Sequence, residues 1–591
     1  MIRVPLRPLA RVISARTQGL DPDLEEAERR AAAHRARQAE ERRRAEWRLR
    51  LLGFAFLVAF ATVCGKMAIL AATDPVAGRN VAGDAHLRMQ RADIVDRNGA
   101  VLATNVTTTA LSVEARHMVD KDALAEGLAG IFPDLKAGEL RTLFDKPGNN
   151  HPVKPQISPE QRQAVHELGE PGVFFGTRET RVYPNGQRLG HVLGGTRFDK
   201  GTWRAAEIIG VAGLEFLLDD RLGDPERVEE PVRLSIDLRV QNALRNVLSE
   251  AMMRYHAKGA AGVLMHARTG EVFSLVSLPD FDPNDRPSEP KDPQLFSRAA
   301  QGVYELGSTY KTFTVALAIE RGVAEPTTMI DIRGPLRTGG FAIKDYRYHG
   351  TELSLTDVLV ESSNIGTARL AMEIGTDPLR AFLASLGLFA PSPVELPEAR
   401  SASPILPRKW GPTETMTVSY GHGIAASPLH LAAAYASISN GGLRVQPTLL
   451  AGAAEATEAD RVLSAATSVK IRRMLRDTVL GSSLRLADVP GYSVGGKTGT
   501  ADKPSGGGYD ENRVIATFAA IFPSTNPDYV LIVTLDEPED RSGRIVRRTA
   551  GWTAAPVAGT AIRRIAPILG MEPGPDVQPD LGGAMTLTGM R

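Results

Sequence analysis

The chain has 591 residues, which is too long for one ordinary domain and predicts about three or four. Its hydrophobic residues, 43% of the total, are sufficient for buried cores and exclude a chain that is disordered throughout. Because 70 lysine and arginine residues balance 69 aspartate and glutamate residues, the overall charge gives no indication of nucleic-acid binding.

The first predicted elements are a basic leader and an apolar helix. Residues 1–50 hold 13 arginines against 8 acidic residues, and residues 51–72 contain one charged side chain, Lys66, and the only cysteine, Cys64. About 20 apolar residues span a bilayer, and an excess of arginine marks the cytoplasmic side. The alternative is a cleaved signal peptide, which has a short basic region and an apolar core of about 7–15 residues. We therefore predict a cytoplasmic leader, an uncleaved single-pass anchor at 51–72 in a bacterial inner membrane, and a periplasmic remainder.

A hairpin is predicted shortly after the anchor. In RADIVDRNGAVLATN, residues 91–105, two short apolar runs flank Asn98-Gly99, which is a strong signal for a tight turn. From there to about residue 230, short strand patterns mix with helical ones and no cluster of catalytic residue types is present. Residues 73–230 are therefore predicted to form a spacer or docking domain.

A second pattern starts near Arg233 with a strand end and an amphipathic helix. The predicted elements that follow are two strands within 261–278, helices from about 308 to 387 and at 428–440, and a terminal hairpin that turns at 524–528. Because strands begin and end this region and helices fill its middle, we predict an α+β fold, an antiparallel sheet flanked by helices, over 231–570. The Gly- and Pro-rich residues 571–591 are predicted to form a flexible tail.

Ser308 and Lys311 stand at the start of an apolar-periodic helical segment, GSTYKTFTVALAIE. Positions i and i+3 share a helix face, so the two side chains can act as a nucleophile and its base. The helix N-terminus favours negative charge developing at the serine, and its field together with burial lowers the pKa of the lysine. The alternative is a serine that only caps the helix. A second Ser-x-x-Lys match, Ser288 and Lys291, is interrupted by prolines and cannot present both side chains on one helical turn.

A second motif, in ESSNIGTARLAMEIG, places Ser362 and Asn364 just before another predicted helix. A hydroxyl and an amide two residues apart can sit on one loop and point into a cleft. We expect Ser362 to shuttle a proton, and Asn364 to hydrogen-bond to Lys311 and to the substrate. The stretch 524–526 has the same Ser-x-Asn pattern, but it lies in a predicted turn.

A third motif is the only Lys-Thr-Gly of the chain, in GGKTGTADK. On a strand, Lys497 and Gly499 share one face and Thr498 takes the other. A glycine at this position lets a second backbone approach closely, as an edge-on peptide substrate requires. Lys497 and the Thr500 hydroxyl are suited to binding a carboxylate. The alternative for this stretch alone is a glycine-rich turn.

The three motifs, in this order, are the set found in penicillin-binding proteins and serine β-lactamases. The segments YELGSTYK, ESSN, SYGHGIAASPLHLAAAYA and GKTGTADK resemble the catalytic core of class B penicillin-binding proteins, and DRNGAVLA resembles the start of their pedestal domain. This resemblance covers nearly the whole chain beyond the leader. It implies a penicillin-binding-protein-like transpeptidase domain on an elongated pedestal, and a D,D-transpeptidase that cross-links D-Ala-D-Ala stem peptides through a serine acyl-enzyme and is a target of β-lactams.

The resemblance also assigns roles to individual residues. The nucleophile corresponds to Ser308 and the base to Lys311, and the oxyanion hole to the backbone N–H groups of Ser308 and Thr500. Lys497, Thr498 and Thr500 are expected to bind the terminal carboxylate of the stem peptide. No metal or other cofactor is expected.

The chain departs from the family pattern in three places, and one motif position indicates the branch. Leu306 stands where proline is usual, Tyr310 where phenylalanine or valine is common, and His422 where an aromatic residue often lies. His422 is therefore interpreted as a wall of the cleft and not as a catalyst. Asn364 stands where the elongation branch usually has aspartate, which favours the septal, FtsI-type branch, with an elongation enzyme as the alternative.

Two other classes of protein are alternatives to a transpeptidase. A β-lactamase would need neither a membrane anchor nor a pedestal of some 150 residues, so the length of the chain argues against it. A β-lactam sensor or scaffold would not need intact Ser308, Lys311, Asn364 and Lys497. The resemblance implies lipid-linked nascent glycan as the source of substrate, and a SEDS-family glycan polymerase and other divisome membrane proteins as partners.

Overall fold

The computed structural model describes residues 9–19, 21–72, 91–147, 150–198, 208–481, 483–505 and 508–574. The chain divides into two compact units, Met1–Ala85 and His86–Arg591, and each is described by itself. The predicted tail, 571–591, lies outside the described residues beyond residue 574.

The described residues of the first unit form two helices, α1 (Leu9–Thr17) and α2 (Pro22–Ala72). α2 covers the charged residues 22–50 and continues without a break through residues 51–72. The side chains of 51–66 are described, and their large apolar members are exposed. Over the residues that the structure describes, no helix is both long enough and apolar enough to cross a membrane.

The second unit begins with the elements of the predicted pedestal. They are β1 (Ile94–Val95), β2 (Val101–Val113), α3 (Lys121–Ile131), α4 (Ala137–Phe144), β3 (His151–Ile157), α5 (Pro159–Glu167), β4 (Val173–Val182), α6 (Gly190–Leu193), β5 (Gly195–Phe198), β6 (Ile208–Ala212), α7 (Gly213–Leu217), α8 (Asp219–Leu222) and β7 (Val232–Arg233). The hairpin predicted around Asn98-Gly99 is confirmed, because β1 and β2 pair antiparallel on either side of it. β2 also pairs antiparallel with β3 and β4, and its inner face packs on α3 and α4.

A buried group of charges holds the start of the pedestal together. The guanidinium of Arg91 donates to Glu215 Oε2 at 2.9 Å and to Asp219 Oδ1 at 2.6 Å. Arg181 of β4 donates to the other oxygen of Glu215, Oε1, at 2.7 Å. Because Glu215 is fully buried, both of its oxygens need these donors, and the group joins the residues before β1 to β4 and α7.

The remaining elements form the predicted transpeptidase region. They are α9 (Leu238–Arg254), β8 (Gly259–His266), β9 (Val272–Leu278), α10 (Lys311–Glu320), β10 (Met329–Asp331), β11 (Leu336–Thr338), β12 (Phe341–Ile343), β13 (Glu352–Ser354), α11 (Leu355–Val360), α12 (Asn364–Ile374), α13 (Thr376–Ser385), α14 (Pro397–Ser401), α15 (Pro412–Ser419), α16 (Pro428–Ser439), α17 (Ala465–Gly481), β14 (Gly495–Ser505), β15 (Gly508–Phe522), β16 (Tyr529–Asp536) and α18 (Ala554–Ile565). Five strands form one antiparallel sheet in the order β14-β15-β16-β8-β9. The predicted α+β fold is therefore confirmed.

The central sheet is buried on both faces because its strands alternate between two apolar clusters. Leu531, Val533 and Leu535 of β16 belong to the cluster that includes α9 and α18. Val530 and Ile532 belong to the larger cluster that includes α10 and α16. Successive side chains of a strand point to opposite faces, so one apolar strand contributes to both layers of helices.

Helices were predicted from about 308 to 387, and this is wrong for part of the segment. Among the described residues, the stretch from 321 to 354 contains no helix, and it holds the four short strands β10 to β13. Pro335, Gly339, Gly340 and Gly350 lie in this stretch and disfavour a continuous helix. The resulting loops lie next to the second motif, as described below.

Candidate active site

Ser308 lies in a 3₁₀ turn, Gly307–Tyr310, that leads directly into α10. The predicted position at a helix start is therefore confirmed. Gly307 has φ +56°, and a Cβ built on it would lie 2.9 Å from the carbonyl oxygen of Thr500. Only glycine fits this close approach, and it brings the turn that carries Ser308 against the third motif on β14.

Lys311 and Lys497 meet at one hydroxyl group, that of Ser362. Lys311 is 1% exposed, and its Nζ donates to the Ser362 carbonyl and, at 3.1 Å, to the Ser362 hydroxyl. Lys497, also 1% exposed, donates to the same hydroxyl at 3.0 Å. Within the described residues, both lysines are hydrogen-bonded to Ser362 and neither to the Ser308 hydroxyl. The structure thus brings Lys311, Ser362 and Lys497 together from three separate elements.

Burial dominates the electrostatics of the two lysines. It lowers the pKa of Lys311 well below its usual 10.5, and the charge of Lys497 lowers this pKa further, whereas Asp345 opposes the shift. Burial also lowers the pKa of Lys497 to about 7. Two positive charges on either side of one buried hydroxyl repel each other. The pair therefore favours a neutral Lys311 beside a charged Lys497.

The third motif lies on β14, as predicted. A Cβ built on Gly499 would lie 2.0 Å from the carbonyl oxygen of Leu306, so this strand runs directly beside the nucleophile turn. Lys497 and Gly499 are buried, and Thr498 and Thr500 are half-buried, as alternation along a strand requires. The Thr500 hydroxyl accepts a hydrogen bond from the Ala550 N–H at 3.0 Å and keeps its own proton for a ligand.

The second motif lies between α11 and α12, on the loop that was predicted. Ser362 has φ +61°, a conformation that residues other than glycine rarely adopt. Asn364 begins α12, and its side-chain amide donates to the Lys344 carbonyl at 2.9 Å. Among the described residues, no hydrogen bond joins Asn364 to Lys311, so the structure does not bring these two residues together.

His422, interpreted as a wall residue, packs at the edge of the nucleophile turn. Its Nδ1 lies 3.3 Å from Glu305 Oε2, and the Glu305 carboxylate raises the pKa of His422. Glu305 Oε1 also accepts from the Gly423 N–H at 3.0 Å and from the Tyr509 hydroxyl at 2.9 Å. These contacts tie the start of β15 to the residues just before Ser308, which the sequence pattern did not show.

The second Ser-x-x-Lys match and the second Ser-x-Asn match lie outside the site, as predicted. Ser288 and Lys291 are exposed in a segment without a regular helix, and 524–526 forms the turn between β15 and β16.

Among the described residues, no group of three or more histidine, cysteine, aspartate or glutamate side chains is arranged to hold a metal ion. One residue that sequence reasoning missed is Asp345, whose contacts with the second motif have no signature in motif spacing.

Comparison with known proteins agrees with this site. Residues 260–561 match the family model of the penicillin binding protein transpeptidase domain, and residues 87–227 match that of the penicillin-binding protein dimerisation domain. The chain is 39% identical over 496 residues to the probable peptidoglycan D,D-transpeptidase FtsI of Caulobacter vibrioides, which covers 82% of each chain. It is 28% identical over 564 residues to the peptidoglycan D,D-transpeptidase FtsI of Escherichia coli, which covers 91% of this chain and 94% of that one.

A solved structure shows the same fold. The crystal structure of penicillin binding protein 3 from Mycobacterium tuberculosis in complex with aztreonam matches with a TM-score of 0.62 and 25% sequence identity, over 82% of this chain and 98% of that one. The family models together match most of the chain, and the Caulobacter relative matches over four fifths of it. The chain therefore belongs to the class B penicillin-binding proteins of the FtsI type, the serine peptidoglycan D,D-transpeptidases.

Proposed function

We propose that Ser308 is the acylated residue of a transpeptidase that cross-links D-Ala-D-Ala stem peptides during septal cell-wall synthesis. The observation that carries this proposal is the meeting of Lys311, Lys497 and Ser362 beside the turn of Ser308. Burial lowers the pKa of Lys311 and so favours its neutral amine, and an unactivated hydroxyl needs such a base to become a nucleophile.

In the first half-reaction, the Ser308 oxygen bonds to the carbonyl carbon of the penultimate D-alanine while its proton passes to the neutral amine of Lys311. The backbone N–H groups of Ser308 and Thr500 stabilise the oxyanion that forms. The C–N bond to the terminal D-alanine then breaks, and the departing amine takes the proton from Lys311, with the Ser362 hydroxyl as the relay. The terminal carboxylate is bound by Lys497, Thr498 and Thr500, beside the backbone space that Gly499 leaves.

In the second half-reaction, the amine of another stem peptide attacks the ester carbon. Its proton passes to Lys311 by the same route, and the bond to the Ser308 oxygen breaks as that oxygen regains a proton. Asn364, at the end of the second motif, is proposed to hydrogen-bond to the backbone of the bound peptide. Its amide is held by Lys344, so it can contact the substrate without a hydrogen bond to Lys311.

The acyl-enzyme formed with a penicillin is expected to persist for many minutes. A class A β-lactamase uses a second base, typically a glutamate between the second and third motifs, to activate water. Of the six glutamates there, Glu395, Glu398 and Glu414 accept hydrogen bonds from Leu449, Gly213 and Gly411, and Glu373, Glu455 and Glu458 are exposed. A positioned general base contributes roughly 10²–10⁴ in rate, so its absence leaves hydrolysis slow.

Intact-mass spectrometry after a brief exposure to penicillin measures this persistence. We expect a single adduct, which digestion places on the peptide that contains Ser308. Rapid return of free enzyme, with hydrolysed drug accumulating, is the result expected of a β-lactamase and would reject the transpeptidase assignment.

We further propose that residues 51–72 anchor the protein, with 1–50 in the cytoplasm and both the pedestal, 73–230, and the transpeptidase domain, 231–570, in the periplasm. The arginine excess before the apolar segment and the exposed apolar side chains of 51–66 support this topology. A pedestal without a catalytic cluster is free to contact other proteins. We propose that its partners are a SEDS-family glycan polymerase and other divisome membrane proteins.

A reporter that is active only in the periplasm tests the topology. We expect activity when it is fused after residue 80 and none when it is fused at residue 40, because only the first position lies beyond the anchor. The reverse pattern contradicts the orientation, and release of soluble protein indicates a cleaved signal peptide.

A further inference from the structure

Asp345 lies in the loop between β12 and β13 and contacts the start of α12. Its Oδ2 accepts a hydrogen bond from the Ser363 hydroxyl at 2.7 Å, and its Oδ1 accepts from the backbone N–H groups of Asn364 at 2.6 Å and Ile365 at 3.0 Å. The backbone carbonyl of the preceding residue, Lys344, accepts a hydrogen bond from the side-chain amide of Asn364. Two consecutive residues of this loop therefore hold the second motif at four points.

These bonds fix the first turn of α12. The first N–H groups of a helix have no partner within the helix, and its N-terminus favours negative charge. The carboxylate of Asp345 meets both needs, while the Ser363 hydroxyl caps the helix by accepting from the Gly366 N–H at 2.9 Å. The loop and the cap together leave the start of α12 with one defined conformation.

Ser362 depends on this support. It has φ +61°, a conformation that is strained for a residue other than glycine, so the surroundings must impose it. Ser362 is followed directly by the three residues that bond to Asp345, and its hydroxyl accepts from both buried lysines. A displacement of the turn moves the one oxygen that lies between the lysines.

Asp345 also has an electrostatic effect on the base. The charged groups that act on buried Lys311 are Lys497 from β14 and Asp345 from the β12–β13 loop. Burial and the charge of Lys497 lower the pKa of Lys311, whereas the Asp345 carboxylate raises it. Asp345 is thus the negative charge that partly opposes the lowering of the Lys311 pKa.

We propose that Asp345 is a positioning residue for acylation, which holds the turn of Ser362, Ser363 and Asn364 in place and supplies a negative charge that acts on Lys311. The inference rests on the role of Ser308 as the acylated residue. It adds to the three sequence motifs a fourth component, contributed by a loop that those motifs do not include.

The test is the acylation rate with a fluorescent penicillin, measured across pH for Asp345→Asn. This variant keeps the size of the side chain and one carbonyl oxygen, but removes the charge. We expect acylation to slow by about 10–100-fold, as for loss of hydrogen bonds to a charged group. Because the carboxylate raises the pKa of Lys311, its removal should also move the acid limb of the pH–rate profile to lower pH.

A matched control is Asp357→Asn. Asp357 accepts from the Ser354 hydroxyl at 2.6 Å at the start of α11, so it makes the same kind of contact at the preceding helix without any contact to the lysines. This variant should keep the wild-type rate and the wild-type acid limb. If Asp345→Asn does not fold, Ser363→Ala removes one of the three bonds and keeps the charge, and it should be slower with the acid limb unmoved.

A folded Asp345→Asn variant with the wild-type rate, or a slower one whose acid limb does not move, overturns the proposal. Ser363→Ala acylating at the wild-type rate does the same. These outcomes differ from a failure of the proposed function, because only that failure leaves Ser308→Ala able to react with penicillin.

Discussion

Ser308→Ala is expected to abolish covalent labelling by a fluorescent penicillin. The nucleophile that attacks the β-lactam carbonyl is the hydroxyl oxygen of residue 308, and an alanine side chain has no such oxygen. The Ser362 hydroxyl contacts both lysines, but its oxygen already accepts hydrogen bonds from Lys311 and Lys497. The measurement is in-gel fluorescence after exposure to the probe, with thermal unfolding to establish that the variant is folded.

Ser288→Ala is the matched control, because Ser288 belongs to the other Ser-x-x-Lys pair of the chain. That pair is exposed and outside any regular helix, so its removal should leave labelling at the wild-type rate. Labelling of Ser308→Ala at the wild-type rate would show that the nucleophile is assigned wrongly.

The local setting of each motif could be predicted from the sequence because short-range signals determine it. An apolar period of about 3.6 residues placed Ser308 and Lys311 at a helix start. Lys497 and Gly499 were placed on one face of a strand by simple alternation, and this agrees with their burial on β14. The turns at Asn98-Gly99 and at 524–528 were marked by their own residues.

The contacts between the motifs could not be predicted, because they join residues far apart in the chain. The approach of Gly499 to the Leu306 carbonyl depends on how β14 packs against the nucleophile turn. The bonds from Ser363 to Asp345, and from Tyr509 to Glu305, likewise depend on loops whose sequences carry no motif. The partner expected for Asn364 was Lys311, but Lys344 lies beside it because the β12–β13 loop occupies that position.

Lys311→Met is expected to slow acylation by penicillin by about 10²–10⁴-fold, which is the usual contribution of a general base. Methionine has a similar length and removes the amine without leaving a large cavity. In the wild-type protein the rate should rise with pH as Lys311 loses its proton, and in the variant this acid limb should disappear. Stopped-flow or quenched labelling across pH measures both effects.

Lys470→Met is the control, since Lys470 pairs with Glu325 on the surface of α17, away from the site. Its acylation rate and pH profile should match those of the wild-type protein. A Lys311→Met variant that keeps the acid limb would show that another group, with Lys497 as the first candidate, supplies the base.

The stability of the Lys311→Met variant should show that burial of the Lys311 amine destabilises the wild-type fold. Lys311 has a folded pKa well below 10.5, so between that pKa and 10.5 the unfolded chain binds more protons than the native one. The free energy of unfolding of the wild-type protein then rises by about 1.4 kcal/mol per pH unit in this window, and falls as pH drops. Methionine removes this dependence, so thermal unfolding should favour the variant most at the lower end of the window and less as the pH rises. A difference in stability that does not change with pH would mean that Lys311 is not buried as a neutral amine. This result would contradict the assignment of Lys311 as the base.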